Sequence, residues 1–123
     1  MNEDEKIAFL EQCGVDARSA VSNMMDIETY NEIMDDFYNS LDEELEKIDK
    51  FKNMGDMPNY AILVHAMKSN DRSFGFNKLG EIAYNHEMAS KANDTSFVNE
   101  HYNELLTAVS EVKQIITKYK ELG

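Results

Sequence analysis

Apolar side chains recur along this chain at alternating steps of three and four, the spacing of helices that bury one face. The clearest series is Val98, Tyr102, Leu105, Val109, Val112, Ile116 and Tyr119, a seam of the kind that packs bundles. A second long stripe runs through Tyr30, Ile33, Met34, Phe37, Leu41, Leu45 and Ile48, opened by Thr29 and Glu32 at capping-box spacing. It stops in the segment 53–58, where Gly55 and Pro58 interrupt helical periodicity. Amphipathic segments follow over 59–74 and 77–91, the second with Leu79, Ile82, Ala83 and Ala89 on one face. Residues 93–96 read as a turn with an N-cap. Upstream, 3–13 predicts a short helix closed by Gly14, and 15–25 a second one after a turn at Asp16. The expected fold is all-α: an antiparallel four-helix bundle over 28–121 with additional short N-terminal helices in 1–25, together one domain over 1–123.

Composition narrows the function classes. The formal net charge is −12, from 24 acidic and 12 basic residues, and such a surface repels phosphodiester backbones and anionic lipid. Nucleic acid and membrane are therefore not expected partners. The N-terminus has no long apolar run, which argues against a signal peptide or membrane span. The single Cys13 cannot form an internal disulfide and suits a reducing cytoplasm. No G-x-x-x-x-G-K-(S/T) loop is present to hold ATP, so the chain is not expected to be an enzyme with its own nucleotide site.

Candidate chemistry concentrates in 60–76, YAILVHAMKSNDRSFGF. On a wheel of about 100° per residue, Tyr60, Leu63, Val64, Met67 and Phe74 gather on one side. His65, Lys68, Ser69 and Arg72 share the other. A histidine central to a polar, cationic face is expected to be open to solvent. Neutral imidazole is a good nucleophile near pH 7, its unperturbed pKa being about 6.5. Phosphoryl transfer needs charge neutralisation and alignment more than acid–base help. Lys68 can approach phosphoryl oxygens, Ser69 can donate a hydrogen bond, and Arg72 can meet the phosphate or a partner's acidic pocket. Ala61 and Ile62 flank the face as an apolar docking rim. The spacing H-x-x-K is common on helices, however, and by itself favours the bland reading of a surface histidine.

The other candidates favour structural readings. His86 lies on the Ile82–Ala83–Ala89 face and is expected to be packed and hydrogen-bonded. His101 precedes the core Tyr102 and is expected to be exposed. A metal bundle built on Glu-x-x-His is excluded, because Ile62, Ala83 and Val98 stand three residues before the histidines. No metal site is expected.

The same segment resembles the histidine phosphotransfer (HPt) family, whose pattern is roughly A-H-x-L-K-(G/S), a Gly near ten residues after the His, then L-x-x-x-A-x-x-x-E-x-A. Here these stand as Val64-His65-Ala66-Met67-Lys68-Ser69, Gly75, and Leu79 with Ala83, Glu87 and Ala89. Gly14-Val15-Asp16 upstream, then Tyr30 and Phe37, extend the resemblance over nearly the whole chain. It implies that His65 carries a phosphoryl group, that Lys68 supports it, and that Gly75 lets a receiver domain approach closely. The implied protein is a cytoplasmic, monomeric phosphorelay carrier. Its partners would be response-regulator receiver domains and a histidine kinase, and it would have no cofactor of its own, Mg²⁺ belonging to the receiver. Alternatives are a non-catalytic receiver- or helix-binding module, or the phosphorylatable domain of a larger histidine kinase. Three positions depart from the family pattern. Asp71 takes a small residue's place near the buried side, His86 stands at a leucine position, and Phe76 follows the Gly. On a continuous helix Phe76 lies beside His65, where it narrows access to the imidazole or enlarges the docking surface.

Overall fold

The computed structural model describes residues 1–123 as seven helices: α1 (Glu3–Gln12), α2 (Ala17–Asn23), α3 (Ile27–Met54), α4 (Met57–Ser73), α5 (Asn77–Lys91), α6 (Thr95–Glu100) and α7 (Tyr102–Glu121). The fold is all-helical, and no helix is long and apolar enough to cross a membrane. Helix α4 packs on α5 and α3, while α7 closes against α5 and α3. The predicted stripes meet at the centre: Tyr30, Met34, Leu41 and Ile48 of α3 with Tyr60, Val64 and Met67 of α4, and Leu105 and Ile116 of α7, all buried. Ile33 of the α3 stripe is exposed, as is Cys13.

Helix boundaries follow caps. Asp26, not Thr29, caps α3, its Oδ1 accepting from the Thr29 amide at 2.8 Å. The T-x-x-E spacing therefore lies inside the helix rather than at its start. Pro58 begins a helix instead of ending one, because at the first turn of α4 its missing N–H costs nothing. Asp56 caps that turn through the Asn59 amide. The last predicted helix breaks at His101 into α6 and α7, and Asp94 caps α6 through the Phe97 amide.

The end of α4 departs most from expectation. The helix stops at Ser73, and Gly75 turns the chain with φ +87°, a conformation only glycine adopts readily. Phe76 is consequently not beside His65. It is buried and stacks on Phe37 with ring centroids 5.8 Å apart, while Phe37 stacks on Phe74 at 4.7 Å. Tyr30 locks the corner by donating to the Phe74 carbonyl at 2.9 Å. Gly75 itself is buried against the chain's own Asp16, whose amide donates to the Gly75 carbonyl at 2.9 Å. A Cβ there would lie 2.5 Å from the Asp16 carbonyl oxygen. The close approach that requires this glycine is thus internal, and the receiver-facing roles expected of Gly75 and Phe76 are withdrawn. Gly75→Ala is expected to destabilise the fold by about 2 kcal/mol or more, from left-handed strain plus the clash. Urea denaturation checks this.

Candidate functional site

His65 sits mid-helix on α4, in a segment whose Tyr60, Val64 and Met67 anchor the opposite side in the core. Its side chain is 56% exposed, so the ring meets solvent as the wheel requires. What the wheel did not contain is the partner across the interface. Glu87 of α5 is almost wholly buried, yet it reaches His65 Nδ1 with Oε2 at 2.8 Å. Lys68 Nζ lies 2.6 Å from Glu87 Oε1, and Lys91 Nζ lies 2.7 Å from Oε2. One carboxylate therefore gathers an imidazole and two ammonium groups. Burial alone would raise the Glu87 pKa, but hydrogen bonds from Lys68, Lys91 and His65 outweigh it and hold the carboxyl down at about 2.

This charge assignment fixes the tautomer. An ionised Glu87 only accepts, so the 2.8 Å contact needs a proton on His65 Nδ1. Lys68 also lies 3.3 Å from Nδ1, but two donors cannot bond each other, and its ammonium belongs to Glu87. The neutral ring then carries its lone pair on Nε2, away from the carboxylate. An oriented imidazole with a free outward nitrogen is the arrangement nucleophilic attack requires.

The other expected residues divide. Lys68 is one turn from the imidazole, mostly covered and directed toward it. Ser69 Oγ donates to the His65 backbone carbonyl at 3.2 Å, so its hydroxyl serves its own helix and is not brought to the ring. Arg72 leads away toward α5, with its Nη2 3.9 Å from Glu81. Ile62 is exposed, whereas Ala61 is buried; it forms the floor of a groove rather than a rim. That groove, about 480 Å³, runs beside His65 between Pro58, Ile62, Ser90 and Lys91. A second groove of about 560 Å³ lies between α3 and α7 at Tyr38, Leu45 and Lys113, and holds no histidine. His65 and Glu87 line the first.

His86 is the packed histidine expected. It is buried, with Tyr60 Oη 2.8 Å from Nδ1 and the His101 carbonyl 3.0 Å from Nε2. The carbonyl only accepts, so Nε2 bears the proton and Nδ1 accepts from Tyr60; burial lowers the His86 pKa and keeps the ring neutral. His101 is half-buried rather than open, stacked on Phe97 at 4.2 Å. Comparison of the chain with protein-family models, curated proteins and solved structures finds no match in any of the three.

Proposed function

We propose that this chain is a histidine phosphotransfer domain, with α3, α4, α5 and α7 as its antiparallel four-helix bundle. It carries a phosphoryl group on His65 between receiver-domain aspartates. One observation carries the reading: an exposed imidazole is held by its Nδ1 on a buried, ionised Glu87, leaving Nε2 free, with Lys68 Nζ 3.3 Å from Nδ1.

The step follows from that geometry. His65 Nε2 attacks the phosphorus of an aspartyl phosphate, the bond from phosphorus to the carboxyl oxygen breaks, and the receiver's carboxylate leaves with the electron pair. The product is a phosphoimidazolium still protonated at Nδ1, its positive charge facing Glu87. Return to a second receiver reverses these bonds and restores the neutral ring, with no net proton change. Lys68, held by Glu87 on the Nδ1 side of the ring, reaches toward the incoming oxygens from there. The partner supplies Mg²⁺ and the acidic pocket; this chain supplies the nucleophile and its orientation. Phe76 crowding the imidazole would favour the non-catalytic alternative, and the buried Phe76 ring removes that crowding.

Incubation with a phosphorylated receiver is expected to give an acid-labile, base-stable label that mass spectrometry places on His65. No label, or a label on another residue, overturns the proposal.

A further inference from the structure

Tyr84 stands on α5, three residues before Glu87, with its ring at the surface (37% exposed). Two cations of α4 converge on it. Lys68 Nζ lies 5.4 Å from the ring centroid and Arg72 Cζ 5.6 Å. Lys68 and Arg72 are four residues apart on one helix face, a spacing at which like charges repel. The route for Arg72 is cut by Gly80, where a Cβ would come to 3.0 Å from Arg72 Cγ. So α5 presents a missing side chain, then an aromatic face, to Lys68 beside the imidazole and to Arg72 one turn further along α4.

We infer that Tyr84 is a positioning residue of the transfer site, holding Lys68 at the imidazole beside Arg72 by presenting its ring to both charges. This inference rests on the phosphotransfer reading of His65. The choice of side chain is chemically specific. A carboxylate at 84 would hold the cations too, but would set another negative charge beside an arriving phosphoryl group. A ring quadrupole attracts ammonium and guanidinium without carrying net charge. Glu87 fixes one end of Lys68 and Tyr84 covers its flank, so the ammonium stays beside the imidazole, 3.3 Å from Nδ1, instead of sampling solvent.

The test is single-turnover transfer from a saturating phosphorylated receiver to the full chain. Tyr84→Leu is expected to slow transfer about two- to fivefold, the range of an exposed cation–π contact, while Tyr84→Phe, which keeps the ring, stays at the wild-type rate. In a Lys68→Ala background, Tyr84→Leu is expected to change nothing further. A leucine variant as fast as wild type, or one that loses the same factor without Lys68, overturns the inference. The NMR signal of the Lys68 ε-methylene protons gives a readout independent of transfer. It is expected upfield of ordinary lysine by ring current and returned to the ordinary position in Tyr84→Leu. An unshifted wild-type signal also overturns the inference. Absence of any transfer by the wild-type protein overturns the phosphotransfer reading and this inference with it. Normal wild-type transfer with an indifferent Tyr84→Leu overturns this inference alone.

Discussion

Glu87→Ala is expected to accept the phosphoryl group about 10–100-fold more slowly than wild type while keeping its helices. The variant loses a hydrogen bond between His65 and a charged acceptor, worth about 1.5–3 kcal/mol, and about 1.4 kcal/mol is a factor of ten in rate. Without Glu87, nothing on α5 selects the Nδ1–H tautomer, and rings protonated at Nε2 cannot attack. The developing imidazolium also loses its counter-charge, and Lys68 and Lys91 lose the anion that draws them together. Glu87→Gln offers Nδ1 an acceptor without the charge, so its rate is expected to fall between the two. Stopped-quench kinetics measures the rates, and ¹⁵N NMR of His65 reports the tautomer. A Glu87→Ala rate equal to wild type would remove the carboxylate from the mechanism.

The same cluster gives a pH signature. A carboxyl whose folded pKa is held at about 2, below its ordinary 4.5, contributes stability that is fully present above pH 4.5. That contribution is lost as the pH falls through about 2. The sign is opposite at Asp71 of α4, whose raised pKa makes stability fall as the pH rises.

How much of this was readable in advance depends on whether a feature is local. The exposure of His65 and the burial of Tyr60, Val64 and Met67 follow from helical repeat alone, and the wheel placed them correctly. His86 was legible for the same reason. Glu87 was visible only as one position of a resemblance, and Lys91 not at all. Their meeting with His65 depends on how α4 and α5 slide and rotate against each other, which neither segment's periodicity encodes. One signal was available: Glu87 and Lys91 are four apart on α5, a spacing at which opposite charges pair. Phe76 failed for a different reason. Extending the α4 wheel past Gly75 assumed a continuous helix, and one glycine at positive φ redirects everything after it. Ser69 shows that a shared face is not a shared target, since a hydroxyl in a helix has its own carbonyl within reach.

Asp71→Ala is expected to make the protein more stable at pH 7, by about 2–4 kcal/mol. Asp71 lies one turn past Met67 on the buried side of α4 and has no exposed surface. Neither of its carboxyl oxygens has a hydrogen-bond partner, and Glu44 Oε2 of α3 is likewise buried and unpaired. Burial and then the neighbouring Glu44 charge push the Asp71 pKa up to about 8, which the adjacent Arg72 only partly offsets. Burial also raises Glu44, opposed by Lys47 and Asn70. An unfolded Asp71 ionises near 3.8, so folding at neutral pH must return a proton to it. Each pH unit between 3.8 and 7 costs about 1.4 kcal/mol, giving an upper limit near 4. Alanine removes that cost and is the better helix former, while the small cavity it leaves takes some of the gain back. Because the folded pKa is raised, wild-type stability is fully present below pH 3.8 and declines as pH rises through about 8. Urea titrations between pH 4 and 9 are therefore expected to show a falling wild-type curve and a flatter Asp71→Ala curve, the two converging at the acid end. A variant less stable than wild type at pH 7 would mean that the carboxyl has found a partner the packing of α3 on α4 does not provide.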